Sequence, residues 1–148
     1  MLFRSLLLFQ LGNLLERALG SIRFGLLYTA CLLAGSLGVL ILDGNGVTGG
    51  ASGAVFGLMA AAAVGLQRRG INVFSTGIGT TLLINLVLTF SIRGISVGGH
   101  LGGVVGGAIC GWFMLAPALK QQPKWMGLVV PAAVAVVSVV ASVLLVTA

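Results

Sequence analysis

The chain has 148 residues, 58% of them apolar and only 7% charged, with a mean hydropathy of +1.18. So few charges cannot coat a water-facing surface, which excludes a soluble enzyme, a disordered tail and a disulfide-rich secreted module and leaves a polytopic membrane protein. The net charge of +6 sets eight Lys and Arg against Asp43 and Glu16, but the basic residues stand singly or in pairs between apolar runs, without the stripe that nucleic acid requires, so no nucleic-acid partner is expected.

At roughly 20 residues per span, the length allows about five or six transmembrane helices. The first apolar stretch, about residues 5–15, is short and interrupted by Gln10, Gly12 and Asn13. Arg4 precedes it as in a signal peptide, but Glu16-Arg17 stands where a small-residue cleavage site belongs, so it reads as a helix. The next runs cover residues 24–42, 52–66, 73–92, 100–115 and 126–148. Each is too long for a strand, and none alternates with period two, so all are expected as helices. Their connections alternate in charge: Arg17 and Arg23, then none from 43 to 50, then Arg68 and Arg69, then Arg93 alone, then Lys120 and Lys124. The positive-inside rule puts Arg68-Arg69 and Lys120-Lys124 in the cytoplasm, and the 43–50 loop and the C-terminus outside. Trp125 suits an inner-interface anchor, and Pro131 falls early in the final span, where proline is tolerated. Cys31 and Cys110 lie in apolar runs without ligand-like spacing and read as small buried apolar residues, so no metal and no cofactor is expected. The pattern is one membrane domain over 1–148, with no second domain and no repeat.

Few polar side chains remain to carry chemistry. The only histidine is His100, and one serine, Ser52, is set among glycines in Gly49-Gly50-Ala51-Ser52-Gly53. They are 48 positions apart, two crossings and two loops, which returns the chain to the same face. A serine hydroxyl needs a general base within hydrogen-bond reach, and an imidazole can take its proton and later return it to a leaving amine. Ser52 opens its segment, where free backbone N–H groups and the helix dipole can hold an oxyanion. Asp43, the only acid on the outer side, is expected as a solvated loop residue and not as a third member. Gly99, Gly103, Gly107 and Gly111 recur every four residues beside a parallel row of Gly98, Gly102 and Gly106, and Gly53, Gly57 and Ala61 repeat the spacing on the third segment. Such rows let membrane helices approach closely. Gly57, Gly103 and Gly107 are expected to set the distance between Ser52 and His100, with Gly98 and Gly111, beyond and below the pair, mattering less.

The stretch Gly50-Ala51-Ser52-Gly53-Ala54-Val55-Phe56-Gly57-Leu58 resembles the nucleophile motif of the rhomboid family of intramembrane serine proteases. His100-Leu101-Gly102-Gly103, followed by Gly107, resembles that family's histidine helix, and Glu16 and Arg23-Phe24 ahead of Tyr28 resemble its second and third core helices. The resemblance covers about residues 10–115. It implies an all-α, polytopic transmembrane bundle in which Ser52 and His100 form a catalytic dyad. Gly50, Ala51 and Gly53 would support the oxyanion, and Phe56 would pack on the histidine. It also implies an endopeptidase acting on transmembrane protein substrates among membrane lipids, in a bacterial plasma membrane. The rival expectation is an inactive rhomboid-like protein that binds other transmembrane helices. The family's first core helix and its outer loop with a Trp-Arg pair have no counterpart in the sequence. The family's asparagine position falls near Arg4 and its second histidine would precede Met1, the pattern of an N-terminally truncated copy. Residues 126–148 resemble the extra C-terminal helix of some members.

Overall fold

The computed structural model describes residues 2–44, 51–115 and 123–148, with side chains from Ser5 onward. Six helices follow one another: α1 (Leu2–Leu19), α2 (Ser21–Leu42), α3 (Ser52–Arg68), α4 (Ile78–Ser91), α5 (Val97–Met114) and α6 (Met126–Thr147). Three of them, α2, α5 and α6, are long and apolar enough to cross a membrane, and α4 is a shorter apolar helix. The chain is an all-α, multi-span membrane protein.

Several boundaries differ from the sequence expectation, α2 beginning at Ser21 and not at 24 among them, and three have a local reason. α1 runs unbroken through Gln10, Gly12 and Asn13, because a single helical glycine costs only about 1 kcal/mol and Leu11, Leu15 and Leu19, one turn apart, anchor the helix in the core. It ends at Gly20, whose φ of +84° favours glycine; there Gly20 N donates to Glu16 O at 2.7 Å and Ser21 Oγ donates to Glu16 Oε1 at 2.6 Å. α4 starts at Ile78 and not at 73. Asn72 Oδ1 accepts from Phe74 N at 2.9 Å, a local turn that competes with helix, and Gly70 and Gly77 both have positive φ. α5 starts at Val97, three residues early, because Ser96 Oγ caps it by accepting from Gly99 N at 2.9 Å. His100 therefore sits inside the first turn of α5 instead of opening it.

Asp43, at the end of α2, extends that cap. Its Oδ1 accepts from Gly98 N at 3.1 Å, and its Oδ2 accepts from Ser96 Oγ. The expectation of a merely solvated loop residue is thus corrected: the carboxylate ties the end of α2 to the start of the histidine-bearing helix, and meets the positive end of its dipole.

α5 is central, with its most extensive contacts to α3 and α2. Its two glycine rows face different partners. A Cβ on Gly103 or Gly107 would overlap the carbonyl oxygens of Gly53 and Gly57 on α3, and one on Gly102 would overlap Ala34 O on α2. The backbones touch because no side chain intervenes. Gly98 and Gly111, expected to matter less, are as crowded: a Cβ on Gly98 would overlap Gly38 O, and one on Gly111 would come within 2.6 Å of Ala61 Cα.

Two measurements check this packing. Gly107→Val should abolish most recovery of monodisperse protein in detergent, since the atom it meets is backbone and overpacking costs at least ~1–3 kcal/mol. Gly25→Ala, where nothing lies within 4 Å, should be neutral or stabilising by up to ~1 kcal/mol. Equal recovery of the two variants would refute backbone contact as the limit. Asp43→Ala should lower thermal stability by roughly 1–2 kcal/mol through loss of the α5 cap. An unchanged melting temperature would show that the cap contributes nothing.

Candidate functional site

Ser52 is the first residue of α3, preceded by Ala51 with φ −63° and ψ 2°, and among the described residues no side chain caps this helix start. The first N–H groups of a helix have no intrahelical partner, and such groups can receive a developing oxyanion. Ser52 is half-buried, and Gly53 beside it is packed so closely that a Cβ would stand 2.7 Å from Gly99 O on α5. Gly50, expected to support the oxyanion, lies outside the described residues, as does Lys120 among the topology signals.

His100 is 3% exposed. Phe56, one turn beyond Ser52 on the same face of α3, stacks on its ring with centroids 3.9 Å apart and planes 15° from parallel. On the ring's edge, Nδ1 lies 2.7 Å from Oγ1 of Thr89, which is itself 2% exposed at the end of α4. Among the described residues no hydrogen bond joins Ser52 to His100. The two are brought together differently: both line one cavity of about 160 Å³, with Phe56, Asn85 and Thr89. A volume of this size holds a few waters or one modest side chain, not a helix. Leu88 and Ile92 line the same cavity and are also exposed on the outside of the bundle. A larger cavity of about 570 Å³ lies around the far end of α3 and the start of α4, with the amides of Gln67 and Asn72 as its polar side chains and no titratable group.

Sequence reasoning passed over Thr89 and Asn85. A signal was available: Thr81, Asn85 and Thr89 recur every four residues in an otherwise apolar helix, a polar row on one face. In the bundle that row is internally bonded, Asn85 Nδ2 donating to Thr81 O at 2.8 Å and Thr89 Oγ1 donating to Asn85 O at 2.7 Å. Cys31 and Cys110 are free, fully buried thiols in the apolar core. No group of three or more metal-ligating side chains occurs among the described residues.

Chemically, the site offers a hydroxyl at a helix start and an imidazole clamped on its face by a phenyl ring and on one edge by a hydroxyl. That set suits acyl transfer at a carbonyl enclosed by apolar side chains. The comparisons with known proteins agree with this setting. Residues 1–117 match the Rhomboid domain family. The chain is also 34% identical over 108 residues to "Rhomboid protease GluP" of Bacillus subtilis (strain 168). That stretch is 71% of this chain but 21% of the relative, so the chain spans about a fifth of that protein's length. No solved structure matches it. A family match over most of the chain, on a helix bundle that sets the motif serine and the motif histidine around one cavity, makes this chain a member of the rhomboid family.

Proposed function

We propose that this chain engages transmembrane segments of other proteins at the cavity of Ser52 and His100, in a bacterial plasma membrane with that end of the bundle facing outward. A cavity of about 160 Å³ admits one side chain, so the partner helix would lie along the bundle's exterior near Leu88 and Ile92 and insert a single residue. The contacts described above favour holding such a helix without cutting it. The observation that carries this is the pair of contacts that hold the His100 ring in place, Thr89 at Nδ1 and Phe56 on the ring face.

The second reading is a serine endopeptidase, and it rests on the shared cavity. Ser52 Oγ attacks the scissile carbonyl, its proton passes to His100, and His100 then protonates the leaving amine. The oxyanion is met by the N–H groups at the start of α3, with Ala51 and Gly53 shaping the turn and Gly57, Gly103 and Gly107 holding α3 against α5. Water for the second half of the reaction enters through the polar side of the cavity. The first half then needs Ser52 and His100 to close to about 2.6–3.2 Å on substrate binding, which apo sites commonly do.

One experiment separates the two. The purified full chain in detergent is treated with a fluorophosphonate, which labels only an activated serine, and with a transmembrane peptide bearing a photocrosslinker. Labelling and cleavage of the peptide, each reduced about a thousandfold or more by Ser52→Ala and by His100→Ala, with the double variant no worse, establishes the endopeptidase. Crosslinking to α4 without labelling establishes the holding function. Neither labelling nor crosslinking overturns the proposal as a whole.

A further inference from the structure

Thr89 is joined to two partners at once. Its Oγ1 lies 2.7 Å from the carbonyl oxygen of Asn85 one turn earlier in α4, and 2.7 Å from Nδ1 of His100 on α5. A hydroxyl has one hydrogen and two lone pairs, and a carbonyl oxygen can only accept. If the hydrogen pointed at His100, Oγ1 and the Asn85 oxygen would face each other lone pair to lone pair at 2.7 Å. Only one assignment makes both short contacts hydrogen bonds: the Thr89 hydrogen goes to Asn85, and Oγ1 accepts a hydrogen from Nδ1.

We propose that Thr89 is a positioning residue for His100, whose hydroxyl, committed as donor to Asn85, accepts the Nδ1 proton and so leaves Nε2 as the ring's basic nitrogen. The burial of both residues gives the assignment its force. Thr89 is 2% and His100 3% exposed, and Phe56 covers a ring face, so an unsatisfied Nδ1–H cannot turn to bulk water. Leaving a buried donor or acceptor without its partner costs about 1–3 kcal/mol, enough to fix one tautomer. This is the orienting and tautomer-setting task that a carboxylate performs in a catalytic triad, done here by a neutral hydroxyl.

The tautomer stands whether or not the chain cleaves anything; its catalytic consequence rests on the endopeptidase reading. His100 is the only histidine, so a spectrum of protein isotope-labelled in its imidazole nitrogens reports this ring alone. Recorded in detergent at alkaline pH, where the ring carries one proton, the full chain should show the proton on Nδ1. Thr89→Ser should keep that pattern. Thr89→Val, of nearly equal shape, should move the proton substantially to Nε2. A wild-type ring protonated mainly on Nε2 overturns the proposal without reference to any variant, and so does an unchanged tautomer in Thr89→Val. Where the wild type hydrolyses a transmembrane reporter, Thr89→Val should lower kcat by at least about tenfold with KM within about twofold, and Thr89→Ser should restore it; a wrong tautomer in a triad costs up to ~10⁴. An inactive wild type with the Nδ1 proton in place would sink the endopeptidase reading and leave the role of Thr89 intact.

Discussion

Everything in this bundle depends on the contact of α5 with two other backbones at once. Lipid tails are as apolar as leucine, so helices in a membrane gain little from hiding side chains and associate through close packing and polar contacts. α5 meets that condition with glycine on two faces, one row against Gly53 and Gly57 of α3, the other against Ala34 and Gly38 of α2. The contact is stiff as well as close, because carbonyl oxygens and α-carbons have no rotamers with which to give way. Ser52 and His100 ride on the two helices locked in this manner, at the end where Gly53 meets Gly99 and Gly103.

The polar groups follow a second rule, that a buried donor or acceptor must have a partner. At the start of α5, Asp43 and Ser96 take up the backbone N–H groups of Gly98 and Gly99. In α4, the side chains of Asn85 and Thr89 return their hydrogens to carbonyls one turn back, and so remain compatible with an apolar helix. His100, like Gly98, takes a partner from another helix, and Thr89 of α4 supplies it. The site therefore joins two kinds of constraint. The helices that carry it, α3 and α5, are held by backbone packing, and its imidazole by a ring stack from α3 and a hydrogen bond from α4.

These constraints also separate what is rigid from what is adjustable. α3, α5 and α2 form the tightly packed part, whereas α4 touches the bundle lightly and presents Leu83, Ile84, Val87 and Phe90 to the outside. A partner helix lying against the α4 side would meet the most weakly held wall of the cavity.

The sequence by itself determined the class of the protein. Composition pointed to a membrane protein, since the chain lacks the charge for a water-facing surface, and the long apolar runs without a period-two pattern pointed to helices. The four-residue glycine spacing announced close helix contacts, and the Gly-rich serine turn with a single histidine two crossings later marked the candidate site and its family resemblance. Tertiary structure alone decided which glycine row met which helix, because periodicity defines the faces of a helix but not their partners. It also decided what reinforces the Ser96 cap of α5, since the Asp43 carboxylate that accepts from Ser96 Oγ and Gly98 N arrives from α2, more than fifty residues earlier in the chain. Thr89 illustrates the limit most clearly. A polar row on α4 was visible as spacing, yet its meaning rests on a hydrogen bond to a ring on another helix, and two side chains that far from any local repeat are related only by the packing that brings their helices together.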